Sequence, residues 1–155
     1  MAIFEHSVRT ADIPAGGTYN LVFTTTSPVI FLNRNIAFTG LLGSADVYEA
    51  PTGVSAGTLP VPFPLDLYQG AVSVSTIRQA ATITGVGTKR AATTLYRGSS
   101  GQGQTVIGTY VSSSTERRLK GNTVYLLQFI NNDASALPLD IYLRWHEGGE
   151  ATLGG

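Results

Sequence analysis

The chain of 155 residues contains no cysteine, so neither a disulfide bond nor a thiolate metal site can contribute to its fold. Charge is also scarce, because Asp, Glu, Lys and Arg make up 13% of the residues, where about 25% is usual for soluble domains. Ten basic and ten acidic side chains cancel to a net charge of zero. Capture of nucleic acid or of an anionic membrane needs clustered cationic charge. We therefore predict no nucleic-acid partner and no membrane partner.

The sequence also lacks a long apolar run. No window approaches the roughly 18 consecutive apolar residues of a membrane helix, and residues 1–5 lack the basic stretch and apolar core of a secretion signal. We expect synthesis in the cytoplasm. A monomer with few charges and no net charge is poorly protected against self-association. Two interpretations stay open: a compact β domain with a surface of Thr, Ser, Gly and Asn, or a subunit that works inside an assembly.

What the sequence does contain is alternation of apolar and polar residues near its C-terminus. Three apolar residues share one face of the segment 123–130, and four share one face of the segment 137–146: these are Tyr125, Leu127 and Phe129, then Leu139, Ile141, Leu143 and Trp145. A period of two predicts β-strands with one face in a core and one in solvent, which is typical of an antiparallel sandwich.

Glycine and proline recur about every ten residues along the rest of the chain, which suits many short strands and leaves no room for long helices. Predicted strands cover 3–9, 18–25, 29–32, 36–41, 46–50, 71–77, 81–84, 93–97, 105–111, 116–119, 124–131 and 137–146. One or two helical turns are allowed near 76–81. We predict one all-β domain over 1–155, an antiparallel β-sandwich of jelly-roll or immunoglobulin-like topology with little or no helix.

Two segments interrupt this pattern. Residues 59–65 place proline at every second position, which removes alternate backbone donors and excludes a central strand. One interpretation is a stiff crossover that covers an edge of the sandwich; the other is an apolar arm that lies on a neighbouring subunit. Residues 98–104, rich in Gly, Ser and Gln, are predicted to form a flexible loop.

The residues available for catalysis are few. His6 and His146 could act as bases, but no serine lies in a G-x-S-x-G elbow. We expect both histidines on solvent-facing sides of the first and last strands. A metal site would have to combine them with Glu5 and Glu147, and neighbouring residues of a strand point to opposite faces. The sequence therefore predicts no enzyme, no metal and no cofactor.

Sugar chemistry is a further possibility. Hydrolysis would need two carboxylates across a cleft, and Asp46 with Glu49 or Asp66 are the available acids, but Asp46 and Glu49 fall on opposite faces of one strand. A carbohydrate-binding module without hydrolysis stays open. The possible stacking platforms are Tyr48, Tyr68, Tyr142 and Trp145.

One basic cluster occurs, at residues 117–120, with Glu116 beside it. Three charges on a neutral chain are too few for a nucleic-acid patch. We expect a solvated face and a turn that leads into the strand at Val124.

The order of these features resembles a known group of proteins. A short first strand leads into a Gly-rich turn and an alternating strand, small-residue loops fill the middle, and two alternating strands close the chain. The segments that carry the resemblance are Ile13-Pro14-Ala15-Gly16-Gly17-Thr18, the strand with Tyr19, Leu21 and Phe23, Gly121-Asn122-Thr123-Val124-Tyr125-Leu126-Leu127-Gln128-Phe129, and Leu143-Arg144-Trp145-His146-Glu147. In this layout the chain resembles the decoration, or cement, proteins of tailed bacteriophage heads.

The resemblance implies a structural virion protein on the exterior of an icosahedral capsid, made in the host cytoplasm. It implies a homodimer or homotrimer that clamps neighbouring copies of the major capsid protein, and no catalytic residues. On this hypothesis the subunit and capsid contacts are made by Ile3, Phe4, Pro60, Pro62, Phe63 and Pro64. The alternatives are a tail, fibre or connector component, or the carbohydrate-binding module.

Overall fold

Eleven antiparallel strands build the part of the chain that the computed structural model describes, residues 2–40, 42–67, 70–96, 109–113 and 117–148. The predicted loop at 98–104 lies outside these ranges. The strands are β1 (Ala2–Arg9), β2 (Thr18–Thr25), β3 (Val29–Phe38), β4 (Leu42–Glu49), β5 (Phe63–Pro64), β6 (Thr76–Arg78), β7 (Thr88–Tyr96), β8 (Thr109–Ser113), β9 (Arg117–Leu119), β10 (Thr123–Asn131) and β11 (Leu139–Glu147). No helix occurs in these ranges, hence none that is long and apolar enough to cross a membrane.

The strands form two sheets that pack face to face, as a β-sandwich requires. The six-stranded sheet has the order β5-β1-β11-β3-β8, with β9 also paired to β3, and the five-stranded sheet has the order β6-β2-β10-β4-β7. From β1 to β4, consecutive strands alternate between the sheets, so β1-β11-β3-β8 faces β2-β10-β4-β7. This is the strand order of a jelly roll. An immunoglobulin-like sandwich would instead pair its first two strands in one sheet.

Most predicted strands are present, and the differences have local causes. The segments predicted at 29–32 and 36–41 belong to one strand, β3. They look separate in the sequence because a register shift opposite Arg144 and Trp145 reverses which residues face inward. Phe31 and Ile36 both face the core across this irregularity, so the period of two breaks in the sequence while the ladder continues. The strand predicted at 46–50 begins earlier, at Leu42.

The prediction was wrong in the middle of the chain. Of the segment 71–77 only residues 76 and 77 are in a strand, β6, and the segment 81–84 makes one isolated bridge, between Thr82 and Ser55. The helical turns allowed near 76–81 are absent, because Ile77 pairs with Phe23 in the five-stranded sheet and is fully buried between the sheets. Burial of Ile77 against a neighbouring strand outweighs the weak local preference of this segment.

Trp145 lies at the centre of the core between the sheets and is fully buried. Its ring contacts three phenylalanines, with centroid distances of 6.2 Å to Phe4, 5.1 Å to Phe23 and 6.3 Å to Phe31. The contact with Phe4 is stacked and the other two are edge-on, and ring contacts of both kinds add to the free energy of apolar burial. The inward faces predicted for the last two strands are confirmed, since Tyr125, Phe129, Leu139, Ile141, Leu143 and Trp145 are buried and Leu127 is half-buried against the same core.

His6 corrects one expectation. It alternates with Glu5 and so faces inward, where it is 7% exposed and its Nε2 lies 2.6 Å from Oε1 of Gln79. His146 follows the buried Trp145 and lies on the other side of the sheet. The two histidines are therefore not neighbours on one solvent face.

The long connection between β4 and β7 covers the outer side of the five-stranded sheet. Its residues 52–58 and 79–85 run antiparallel, joined by bridges between Thr52 and Gly85, Ser55 and Thr82, and Thr58 and Gln79. We call these two segments the ribbon. A second apolar cluster lies beneath it and consists of Val22, Tyr48, Ala81 and Leu126 with Val54, Ile83, Val86 and Val124. The ribbon thus supplies this sheet face with a core of its own.

Gly57 makes the closest approach within the ribbon. Its φ is +77°, and a Cβ at this position would lie 2.0 Å from the backbone oxygen of Gln79. Gly16 has a similar φ of +73° with no atom within 4 Å of the same position. We expect Gly16→Ala to cost about 1 kcal/mol of unfolding free energy from left-handed strain alone. Gly57→Ala should cost about 1–3 kcal/mol more, because the ribbon must separate. Denaturant unfolding measures both, and equal costs would contradict the ribbon pairing.

Candidate interaction surface

The proline-rich segment forms the edge of the six-stranded sheet. In β5, Phe63 pairs with Glu5 and Pro64 with Phe4, and the Leu65 N–H donates to the Ile3 carbonyl at 2.9 Å. The segment therefore covers one edge of the sandwich, as the first of the two sequence interpretations states. Backbone groups of Phe63 and Leu65 point to β1, so those of Pro64 point to the open edge. Proline has no N–H to offer there, and a further strand cannot extend the ladder.

Side chains alternate along this segment in the same way. The prolines turn toward the protein, since Pro62 is buried and Pro60 and Pro64 are half-buried, while the residues between them are exposed. We call the exposed set the apolar row, and it consists of Leu59 (56% exposed), Val61 (74%), Phe63 (65%), Leu65 (38%) and Leu67 (77%). Among the described residues, the other large apolar side chains with comparable exposure are Leu42, Val72 and Val74. Apolar exposure concentrated in one segment makes the apolar row the candidate interaction surface.

The apolar row continues into the outer face of the six-stranded sheet. Residues paired across strands share a face, so Phe63 is followed by Glu5, Arg144 and Asn33 across β1, β11 and β3. The next residues along form a parallel line of Ser7, Tyr142 and Asn35. A shallow groove of about 320 Å³ opens on this face, lined by Ser7, Val8, Arg9, Asn35, Ala37, Asp140, Ile141 and Tyr142.

The polar groups of the outer face are only partly paired. The Tyr142 hydroxyl donates to Oε2 of Glu5 at 2.8 Å. Burial raises the pKa of Tyr142, and the hydrogen bond and negative charge of Glu5 raise it further. Asn33 Oδ1, Asn35 Oδ1 and Arg144 Nε are buried atoms without a hydrogen-bond partner. Each such atom costs about 1–3 kcal/mol of folding free energy.

The six residues predicted to contact neighbours divide between surface and interior. Phe63 is exposed, and Ile3, Pro60 and Pro64 are half-buried at the same sheet edge. Phe4 is 1% exposed because its position in β1 turns the ring onto Trp145, and Pro62 is also buried. We therefore leave Phe4 and Pro62 out of the surface. Alternation along 59–67 is the sequence signal that would have selected the exposed residues instead of the prolines.

The other candidate residues do not form a catalytic centre with one another. Asp46 lies 3.1 Å from Lys89, whereas Glu49 binds Arg90 and Lys120, so the two acids do face different sides of β4. Within the described ranges, no group of three or more His, Asp or Glu side chains could hold a metal ion. Of the stacking platforms, Tyr48 and Trp145 are buried, Tyr68 lies outside the described residues, and Tyr142 lines the groove.

Comparison with known proteins adds no family assignment. No model of a known protein family matches the sequence, and no curated protein matches it either.

A buried carboxylate anchors the chain that follows the apolar row. Glu147, the last residue of β11, is 4% exposed and accepts hydrogen bonds from the Ser73 hydroxyl, the Val74 N–H at 2.9 Å, the Ser75 N–H at 3.1 Å and the Trp145 indole N–H at 2.9 Å. Burial by itself raises the pKa of Glu147, but these hydrogen bonds outweigh it and hold the pKa below its usual value of 4.5.

We expect acid to weaken this anchor. Because the pKa of Glu147 is lower in the folded chain, its stabilising contribution is present above pH 4.5 and is lost as the pH falls through the folded value. Glu147→Gln should cost about 2–4 kcal/mol of unfolding free energy at neutral pH, and the gap to the unaltered chain should narrow on acidification. Asp140→Asn, at an exposed position, is the control and should cost less than about 1 kcal/mol. Urea unfolding at several pH values would refute the anchor if the gap stayed constant.

Proposed function

We propose that this chain is a structural virion protein that binds the outer surface of an icosahedral phage capsid and stabilises contacts between major capsid protein subunits. The observation that carries the proposal is the apolar row, an edge segment whose prolines face the protein and whose leucine, valine and phenylalanine side chains face outward. The resemblance of the first and last strands to phage decoration proteins is the reason for naming the capsid as the partner. The role is non-enzymatic.

The physical requirements of a clamp agree with this surface. A stable interface buries about 800 Å² on each partner, with apolar anchors at its centre and polar groups around them. The apolar row supplies anchors such as Phe63, and the adjoining outer face supplies Glu5, Tyr142 and Arg144 as polar partners. Repetition of modest contacts in a homodimer or homotrimer raises the total affinity by avidity. Jelly rolls serve viral capsid and lectin domains alike, so the surface and not the fold carries the argument.

A tail, fibre or connector component would use the same kind of surface. The position of the protein in the intact particle separates these roles.

One observation favours a second function, saccharide binding. The groove beside Tyr142 combines an aromatic ring with Asn35, Asp140 and Arg9, and Asn35 Oδ1 is buried without a partner. Ring and planar polar groups together suit a saccharide. A strong hit on a glycan array that Tyr142→Ala abolishes would favour this function over attachment to a shell.

We expect the double variant Phe63→Ser, Leu67→Ser to bind heads of the encoding phage at least about tenfold more weakly, because two apolar anchors lose their burial. Leu42→Ser is the matched control, since Leu42 is also exposed (40%) but lies at the start of β4, in the other sheet. Occupancy on purified heads, titrated with each variant, measures the difference. Unchanged occupancy of the double variant would remove the apolar row from the mechanism. Failure of the unaltered chain to bind heads at all would overturn the proposed function.

Attachment through apolar contacts should also survive high salt. At about 1 M salt the Debye length is about 3 Å, so exposed ion pairs weaken while apolar burial does not. We expect sedimented heads to retain the protein after such a wash. Release of the protein at this salt would point to an ionic attachment instead.

Heads that lack the protein should rupture at a lower temperature than decorated heads.

A further inference from the structure

The five-stranded sheet ends in a long strand that is paired on one side. In the part of the chain that the structure describes, β7 lies beside β4 and has no neighbour on its other side. β7 has nine residues, whereas the strands at the other sheet ends are short: β5 has two residues, β6 three and β8 five. An unpaired edge presents N–H and C=O groups to other strands, and proteins usually protect it by shortness, proline, charge or a bulge.

The first part of β7 has such protection and the second part lacks it. Lys89 and Arg90 belong to the first part, and the register between β4 and β7 shifts after Val47, so a β-bulge interrupts the edge at Arg90. Residues 91–96 contain no charged residue, no proline and no glycine, and they pair with β4 in one regular register. This part of the edge is therefore suited to the addition of another strand.

The hydrogen bonds of β4 establish which groups of β7 face the open edge. The Leu42 carbonyl accepts from the Asn132 N–H at 3.1 Å, on the β10 side. The Ala50 N–H, just after β4, donates to the Val124 carbonyl at 2.8 Å on the same side. Backbone groups alternate in direction along a strand, so the odd-numbered residues of β4 hydrogen-bond β7. Their partners are Ala91, Thr93 and Leu95, and the residues that face the open edge are Ala92, Thr94 and Tyr96.

We propose that this chain forms a twofold dimer in which β7 pairs antiparallel with β7 of a second copy. A twofold axis at Thr94 sets this residue against its own copy and Ala92 against Tyr96, so all three residues that face the open edge obtain partners. The two residues of each such pair exchange both backbone hydrogen bonds. The two bulges at Arg90 then lie at opposite ends of the shared ladder, outside its paired part.

Two observations favour a second copy over an unrelated strand. The residues that face the open edge are spaced symmetrically about Thr94, and a contact that uses the same surface on both copies is the one that twofold symmetry requires. The chain also has a net charge of zero, so two copies do not repel each other.

The pairing joins two five-stranded sheets into one continuous sheet that ends in β6 of each copy. β6 has three residues, so strand addition stops at two copies. A strand edge buries less than the roughly 800 Å² per partner of a standard interface, so the dimer should be reversible. The inference concerns the chain alone and does not depend on attachment to a capsid.

Sedimentation velocity of the full chain between about 1 μM and about 100 μM tests the pairing. We expect a monomer–dimer equilibrium. Thr94→Pro should abolish the dimer, because it removes an N–H that faces the open edge and leaves the ladder with β4 intact. Thr94→Lys and Thr94→Glu should each weaken the dimer about fivefold, because like charges then meet at the twofold axis. An equimolar mixture of these two charged variants should regain the dimer, since opposite charges then meet.

Thr18→Lys is the matched control, because Thr18 is an exposed threonine of β2 in the same sheet, two strands away from β7. Its dimer should stay within about twofold of that of the unaltered chain. If Thr94→Pro lowers the unfolding temperature markedly, the mixture of charged variants decides.

Four results would overturn the inference: a monomer at about 100 μM, a trimer, equal losses in Thr94→Lys and Thr18→Lys, or no recovery in the mixture. The assay contains no heads, so its failure leaves the apolar row in place. Loss of attachment through Phe63 likewise leaves the pairing of β7 in place.

Discussion

The hydrogen bond from the Trp145 indole to Glu147 is the interaction on which the rest of the structure depends. A fully buried indole N–H must find an acceptor, and the carboxylate two residues further along β11 supplies it at 2.9 Å. The same carboxylate binds the backbone at Val74 and Ser75. The centre of the core and the chain that follows the apolar row are therefore joined through one side chain.

The connection from β4 to β7 makes the two sides of the jelly roll different. It adds β5 to one sheet beside β1, adds β6 to the other sheet beside β2, and lays the ribbon over the five-stranded sheet. One edge of the sandwich is thus closed by the chain's own segments and carries apolar side chains outward. The other edge, between β9 and β7, carries arginines. The two edges of the sandwich therefore differ in their surface chemistry.

Sequence reasoning succeeded where a strand is regular and failed where distant segments decide the outcome. The alternation of Tyr125 to Phe129 and of Leu139 to Trp145 is a local signal, and it specified the sandwich and its inner faces. The continuity of β3 could not be predicted because its bulge reverses the alternation. The outward side of the proline segment could have been predicted from its period of two, because Val61, Phe63 and Leu65 alternate with prolines. The ion pair between Arg90 and Glu49 was not predictable, since it depends on a second bulge, between β4 and β7.

The alternate prolines of the edge segment have a consequence for the chain at high concentration. An exposed, apolar edge strand ordinarily promotes fibril formation, because each new molecule can hydrogen-bond its backbone to the edge of the previous one without limit. Here the residues whose backbone faces the open edge are Pro62 and Pro64, and neither has an N–H to donate to an incoming strand. Continuous strand addition at this edge is therefore blocked even though its apolar side chains are exposed, which lowers the risk of fibril growth at high concentration.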